Sequence, residues 1–171
     1  MIILNIGNGK GKTTSAVGQI IRSLGHGFKV CLIQLFKGEN FYGEQKILVK
    51  LDNLDFFSFA KEHPYCIKGV SLDKVASQCC SAVEKLKDLA DVPEKYDLIV
   101  LEEFNIALRD KFIDENKFID IIKRLSRRSN VIVTGRGAPQ SLVDIADLVT
   151  EMKEIKHPYK KGVQAQRGIE Y

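Results

Sequence analysis

Hydrophobic residues fall along the chain in two alternating patterns. Short, continuous apolar runs bounded by glycine or polar residues are typical of buried β-strands. Such runs cover Ile2–Ile6, Lys29–Phe36, Leu98–Leu101 and Val131–Val133, and two less regular segments, Leu54–Phe59 and Leu148–Ile155, are further candidate strands. Between the first two runs, apolar residues recur at the spacing of one helix face over Thr13–Leu24, and Gly25-His26-Gly27 ends that pattern. The start of the chain therefore predicts a strand, a helix and a second strand.

Three more helices are predicted further along the chain. One begins at the candidate N-cap Ser71 and runs to about Ala90, and another covers Phe118–Leu125. Pro139 can open a third, because proline fits the first helical position. Strands that alternate with helices and are apolar on both faces are typical of an α/β fold. The pattern predicts a mostly parallel β-sheet with helices on both faces.

The chain shows no internal repeat and no low-complexity linker, so residues 1–171 are expected to form a single domain. Its C-terminal segment, residues 157–171, is polar, basic and rich in loop-forming residues. We expect this segment to pack over the surface of the domain, with a frayed tail as the alternative.

The amino-acid composition indicates the general class of protein to which the chain belongs. Apolar residues make up 44% of the 171 positions and charged residues 28%, which is typical of a soluble globular protein. No apolar run reaches the length of a membrane span or of a signal-peptide core, so a cytoplasmic location without membrane contact is expected. The net charge of +4 suits an anionic small molecule and does not by itself indicate a nucleic-acid partner.

The four cysteines give no sign of a disulfide framework or a zinc site. Cys31, Cys66, Cys79 and Cys80 form no CxxC pair, and no histidine lies at a zinc-site spacing from them. Free cysteine is among the most buried residue types, so we expect buried, reduced thiols.

The strongest functional motif is NIGNGKGKTT, residues 5–14, which links the first strand to the first helix. A glycine turn that ends in Gly11-Lys12-Thr13 at this place is the P-loop arrangement, and it predicts a P-loop NTPase-like (RecA-like) fold. In a P-loop the turn N–H groups and the helix N-terminus face a polyphosphate, lysine adds a charge, and threonine ligates Mg²⁺.

Here three residues rather than four separate Gly7 from Gly11, and Lys10 is an extra cation. The predicted phosphate-binding residues are Gly7, Asn8, Gly9, Lys10, Gly11, Lys12, Thr13 and Thr14. A merely flexible turn is the alternative.

Polar residues follow three of the other predicted strands. Glu102 and Glu103 come directly after a buried strand, where a carboxylate can hold Mg²⁺; a solvated strand end is the alternative. Gln34 and Lys37 lie in QLFKG at the end of the second strand, and Arg136 lies in TGRGAP after a later one. Ligands bind at the carboxyl ends of strands in open α/β sheets. Gln34, Lys37 and Arg136 are therefore predicted to meet phosphate or base, with a plain loop as the alternative for each of these two motifs.

Taken together, seven stretches resemble the P-loop type of ATP:corrinoid adenosyltransferase, and the resemblance covers nearly the whole chain. They are GNGKGKTT (7–14), QLFKG (34–38), a Gly-Glu pair (43–44), VLEEFNIAL (100–108), VTGRGAP (133–139), ADLVTEM (146–152) and KHPYKKGVQAQRGIEY (156–171). The glycine loop alone indicates only a nucleotide-binding protein. Its combination with the C-terminal motif is specific for the family.

The resemblance implies a reaction in adenosylcobalamin biosynthesis or salvage. The 5′-deoxyadenosyl group of MgATP would pass to the Co(I) centre of a reduced corrinoid, with release of triphosphate. Because the corrinoid attacks C5′ itself, no protein nucleophile is needed. Lys10, Lys12 and Arg136 are then expected to act as catalytic cations on the leaving group. Gln166 and Arg167, in the C-terminal motif, are expected to bind substrate.

The same resemblance implies a metal site and leaves two points open. Thr13 and Glu103 are the implied ligands of Mg²⁺, with Mn²⁺ as an alternative metal. Relatives usually carry Asp-Glu where this chain has Glu102-Glu103, so the role of Glu102 is open. Better-known relatives also have a tryptophan-containing segment near the corrinoid, whereas this chain has no tryptophan and residues 57–69 match that segment poorly. How the corrinoid is held is therefore not predicted.

As partners, the resemblance implies a second copy in a homodimer and a flavoprotein as one candidate for the reductant. The charge pattern and the lack of a long apolar run predict no nucleic-acid or membrane partner. Two other classes of function share parts of the pattern. A P-loop ATPase or nucleoside kinase would use the same loop and Glu103 but would yield ADP. A nucleotide-gated corrinoid-binding protein or nucleic-acid partner would use the basic tail, whose cations are only moderately clustered and are not interleaved with aromatic residues.

Overall fold

The computed structural model describes residues 1–39, 41–64, 69–92 and 95–171. Its six strands are β1 (Ile2–Ile6), β2 (Val30–Leu35), β3 (Leu54–Phe59), β4 (Leu98–Glu102), β5 (Asn130–Thr134) and β6 (Leu148–Glu151). They form one sheet in the order β3-β2-β4-β5-β1-β6, and each neighbouring pair is parallel. The predicted parallel α/β architecture is confirmed.

Helices occupy most of the connections between the strands. Within the described ranges they are α1 (Lys12–Gly25), α2 (Gly43–Leu48), α3 (Leu72–Asp91), α4 (Phe104–Arg109), α5 (Glu115–Leu125), α6 (Gln140–Asp144) and a 3₁₀ helix (Pro158–Lys161). None of the described helices is long and apolar enough to cross a membrane.

Alternate residues of β2 enter two hydrophobic cores, one on each face of the sheet. Val30 and Leu32 pack in a core that includes residues of α1 and α2. Cys31, Ile33 and Leu35 pack in a larger core with residues of α3 to α6. Successive side chains of a strand point to opposite faces, so the two cores lie on opposite sides of the sheet. Helices therefore cover both faces, as the apolar runs predict.

The helix and strand limits differ from the sequence predictions at a few places. β6 ends at Glu151 rather than at Ile155, and Pro139 is the N-cap of α6 rather than its first helical residue. The six-residue helices α2 and α4 were not predicted, because so short a segment hardly shows the helical period. Ser71 caps α3 as predicted, with its hydroxyl oxygen accepting from the Lys74 amide at 3.3 Å.

The prediction of buried thiols is right for two cysteines and wrong for a third. Cys31 and Cys79 are free and buried, and burial raises the pKa of both thiols to about 12. Cys80 is free but exposed. Adjacent residues of α3 point in different directions, so only one of the pair can face the core. Cys66 lies outside the described residues.

Candidate active site

The predicted functional stretches meet at the carboxyl ends of the strands. The glycine loop follows β1, Lys37 follows β2, Glu103 follows β4 and Arg136 follows β5. Most of the glycine loop and the other three residues line a cavity of about 550 Å³. Residues 9–14 of the loop form one side of it, and residues 168–171 form another. This edge is where an open α/β sheet binds its ligand.

Two glycines of the loop are required by the chain segment that follows β6. The Gly9 amide donates to the Met152 carbonyl oxygen at 2.7 Å. A Cβ added at Gly7 or Gly9 would lie 2.5 or 2.6 Å from that same oxygen, which is too close. Gly7 and Gly11 also have φ values of 102° and 109°, in the left-handed region that favours glycine. The glycine pattern thus serves packing against the end of the sheet as well as any approach to phosphate.

Lys12 lies folded back over the loop. The residue is only 8% exposed, and its Nζ donates to the Gly9 carbonyl oxygen at 2.7 Å. Burial lowers the pKa of Lys12, and the nearby Glu103 carboxylate opposes that shift. A poorly hydrated ammonium interacts more strongly with an anion than an exposed one does.

Two further cations and the start of α1 face the same cavity. Lys10 is more exposed than Lys12 and forms an ion pair with Glu170. Arg136 lines the cavity from the end of β5. Gly11, the N-cap of α1, provides no side-chain cap, so the first N–H groups of the helix add a partial positive charge. The cavity is therefore suited to a polyanion.

Glu102 is the centre of a buried hydrogen-bond network. It is 1% exposed, and both its oxygens accept hydroxyl protons. Thr13 Oγ1 donates to Oε1 and Thr134 Oγ1 donates to Oε2, each at 2.5 Å. The Lys37 ammonium lies 3.3 Å from Glu102 Oε1 and 3.2 Å from Thr13 Oγ1. Glu102, whose role the sequence left open, thus orients the threonine at the start of α1.

Glu103 faces the cavity from a strained backbone conformation. Its φ is 64°, and a non-glycine residue in this region costs about 1–3 kcal/mol. Its amide donates to Thr134 Oγ1 at 3.0 Å, while its Oε2 is buried without a hydrogen-bond partner in the described part of the chain. Burial, followed by the charge of Glu102, raises the pKa of Glu103 to about 7. A buried carboxylate oxygen of this kind is a candidate metal ligand.

Lys37 is a buried cation among carboxylates. It is 7% exposed, its Nζ lies 3.6 Å from Glu44 Oε1, and it stands 4.7 Å from the centroid of the Tyr42 ring. Burial opposes its charge, but the carboxylates of Glu102, Glu44 and Glu103 outweigh that effect and raise the pKa of Lys37. The sequence predicted Lys37 as a site residue but not Tyr42, which lies outside the recognised motifs.

The last four residues meet the glycine loop and the segment before α2. Glu170 pairs with Lys10, and its Oε2 also accepts from the Gln166 amide at 2.7 Å. The Tyr171 ring stacks on the Phe41 ring, with centroids 4.7 Å apart and planes inclined by 17°. Residues 170 and 171 belong to the C-terminal motif, but no sequence signal pointed to the aromatic contact.

Some predicted site residues lie outside the cavity lining. Gln34 is buried, and its side-chain oxygen accepts from Gln45 Nε2 at 2.7 Å. Gln166 and Arg167 are exposed and directly precede the lining residues of the tail. Asn8 lies in the loop just before its lining part.

The chain is similar in sequence to proteins of one known family. Residues 1–171 match the family model described as ATP:corrinoid adenosyltransferase BtuR/CobO/CobP. The chain is 35% identical to a corrinoid adenosyltransferase of Sinorhizobium sp., over all of this chain and 80% of that protein. It is 33% identical to one of Pseudomonas aeruginosa, over all of this chain and 83% of the relative. Corrinoid adenosyltransferase CobA of Salmonella typhimurium is 32% identical, over all of this chain and 85% of CobA.

Among solved structures, the flagellar accessory protein FlaH from Methanocaldococcus jannaschii has a TM-score of 0.56 to this chain, covering 88% of it and 69% of FlaH. At 14% sequence identity this likeness shows the fold alone, and it agrees with the predicted P-loop NTPase-like (RecA-like) α/β class. The sequence matches go further than the fold, because they span every residue that builds the cavity. The chain therefore belongs to the ATP:corrinoid adenosyltransferase family, a family of transferases.

Proposed function

We propose that this chain transfers the 5′-deoxyadenosyl group of ATP to the Co(I) centre of a reduced corrinoid and releases triphosphate. Family membership supports the class of reaction. The observation that carries the assignment of roles is the convergence of Lys10, Lys12 and Arg136 with the uncapped start of α1 on one cavity. Triphosphate gains negative charge as it leaves, so these groups stabilise the transition state more than bound ATP.

No residue of the chain is proposed as a nucleophile. The cobalt centre of the substrate supplies the electron pair that forms the cobalt–carbon bond. The C5′–oxygen bond breaks, and its electron pair leaves with the triphosphate. The protein's part is to bind the two substrates, orient C5′ toward cobalt and stabilise the leaving charge.

The phosphate product tests this proposal. With MgATP and a chemically reduced corrinoid, we expect one triphosphate for each adenosyl group transferred and no ADP, measured by ³¹P NMR. A P-loop ATPase or nucleoside kinase breaks a bond to the terminal phosphate instead. ADP as the main product would therefore contradict adenosyl transfer.

We propose that Thr13 and Glu103 hold Mg²⁺, with Mn²⁺ as an alternative, and that Glu102 positions Thr13. Hydroxyl and carboxylate oxygens are ligands that Mg²⁺ prefers. Both oxygens of Glu102 already accept hydroxyl protons, whereas Glu103 keeps a buried oxygen without a hydrogen-bond partner in the described ranges. A divalent cation at this place supplies charge neutralisation to the triphosphate.

Replacing Glu103 with glutamine should weaken the apparent affinity for Mg²⁺ by at least about tenfold, since even the outer partners of metal ligands carry effects of that size. The free energy of unfolding at neutral pH should not fall, because the substitution removes a buried charge with a raised pKa. The affinity is read from the Mg²⁺ dependence of the rate, and the stability from urea unfolding.

The matched control is Glu102→Gln. We expect it to destabilise the fold by disturbing the buried network around Thr13 and to change the Mg²⁺ dependence less than Glu103→Gln does. If Glu102→Gln instead had the larger effect on Mg²⁺ dependence, the metal role would belong to Glu102.

We also propose that the C-terminal segment, residues 157–171, packs over the active site and that Gln166 and Arg167 contact substrate. Support comes from residues 168–171, which line the cavity, and from the ion pair of Lys10 with Glu170. The resemblance to the family supports three proposals about the protein's setting: a homodimer, a cytoplasmic location and a flavoprotein as reductant.

A further inference from the structure

Lys37 contacts one of the proposed metal-binding oxygen atoms, Thr13 Oγ1. The Thr13 hydroxyl donates its hydrogen bond to Glu102, so only the lone pairs of Oγ1 remain to bind a cation. The Lys37 ammonium donates a hydrogen bond to Thr13 Oγ1 at 3.2 Å. It also lies 3.3 Å from Glu102 Oε1, the oxygen that accepts from Thr13. The threonine oxygen that would bind Mg²⁺ is thus in contact with a positive charge.

We propose that Lys37 takes the place of the divalent cation in the nucleotide-free protein and moves toward Glu44 and the triphosphate when the metal enters. The inference rests on the proposed Mg²⁺ site at Thr13 and Glu103. Glu44 is the nearest alternative partner that the contacts of Lys37 identify, with 3.6 Å between Nζ and Oε1.

The reason is electrostatic. A Mg²⁺ ion bound directly to Thr13 Oγ1 would lie within about 5 Å of an ammonium 3.2 Å from the same atom. Two positive charges at that distance in a buried site repel each other strongly. Phosphate oxygens relieve this repulsion because they accept hydrogen bonds from the displaced ammonium and ligate the metal as well.

Two consequences follow for the protein. Free Mg²⁺ binds weakly before nucleotide, so metal and triphosphate enter together. The Lys37 ammonium, 3.3 Å from Glu102 Oε1 and 3.2 Å from Thr13 Oγ1, also helps to keep Thr13 in place. Lys37 is thus a positioning residue that makes metal binding depend on the triphosphate.

The test measures Mn²⁺ binding to the nucleotide-free protein by the EPR signal of free Mn²⁺. Lys37→Met should bind Mn²⁺ at least about tenfold more tightly than the unsubstituted protein, because the competing charge is gone. Lys37→Gln should tighten binding similarly while keeping an uncharged donor for Glu102, which matters if the methionine variant does not fold. Lys37→Arg, which retains the charge, is the matched control and should bind Mn²⁺ as weakly as the original.

Adding Thr13→Ala to the tighter variant should abolish the gain. Variants without the charge that keep a native circular-dichroism spectrum but bind Mn²⁺ no more tightly would overturn the inference. So would a gain that survives Thr13→Ala, because the ion would then bind elsewhere. If no protein bound Mn²⁺ even with inorganic tripolyphosphate present, the proposed Mg²⁺ site itself would fail.

Discussion

Replacing Lys12 with alanine should lower the rate of adenosyl transfer at saturating ATP by about a hundredfold or more, as for other groups that stabilise developing charge. Lys12 is buried and fixed over the loop by the Gly9 carbonyl, so its charge is little screened by water. The substitution removes a positive charge that acts on the triphosphate both when it is bound and as it leaves. The rate is measured from the change in the corrinoid absorption spectrum as the cobalt–carbon bond forms.

Lys10→Ala is the matched control for this prediction. Lys10 is in the same loop but is more exposed and already paired with Glu170, so its loss should lower the rate less. A Lys12→Ala protein that kept a near-normal rate at saturating ATP would contradict the role of Lys12 in stabilising the leaving group.

Truncation after Ile155 should abolish formation of the cobalt–carbon bond and leave a folded domain that still binds MgATP. Nearly all of residues 156–171 are exposed, so their removal uncovers little of either hydrophobic core. The glycine loop and Thr13 remain, and they suffice for the nucleotide in our proposal. The lost cavity wall, residues 168–171, is expected to orient the second substrate.

Circular dichroism, calorimetric titration with MgATP and the cobalt–carbon spectrum measure these three properties in one preparation. Lys160→Ala in the full chain serves as the control, because Lys160 pairs with Glu154 and is not among the residues that line the cavity in the described ranges. It should retain most of the activity. A truncated protein that folds and forms the cobalt–carbon bond at the full rate would show that the tail has no part in the reaction.

The fold was predictable where buried elements have a simple pattern of apolar residues in the sequence. All six residues of β2 are buried, so the strand reads as a continuous apolar run. All four residues of the edge strand β6 are exposed, and its end was therefore placed too late. Helices α2 and α4 span less than two turns each, which is too little for a period to appear.

The site was predictable where its parts are close together in the sequence. The glycine loop places Lys12 and Thr13 within one motif between a strand and a helix. The contact of Thr13 with Glu102 joins residues 89 positions apart, and only the order of the strands brings them together. The left-handed conformation of Glu103 could not be predicted, because it is rare for residues other than glycine.

The aromatic contact between Phe41 and Tyr171 could not be predicted from the sequence, because it joins residues that are far apart along the chain. One residue precedes α2 and the other ends the chain, and neither belongs to a motif that names the other. The ion pair of Lys10 with Glu170 joins residues 160 positions apart. Long-range contacts of this kind decide how the tail meets the glycine loop, and they became visible only in the folded chain.

The most direct test of adenosyl transfer follows C5′ of ATP, the carbon atom whose bond to oxygen is replaced by a bond to cobalt. The protein is mixed without oxygen with Mg²⁺, a chemically reduced corrinoid and ATP labelled with ¹³C at C5′, and the products are examined by ¹³C NMR. We expect the labelled carbon to become bonded to cobalt at the same rate as triphosphate is released. Label that stayed in adenosine phosphates while ATP was consumed would contradict it.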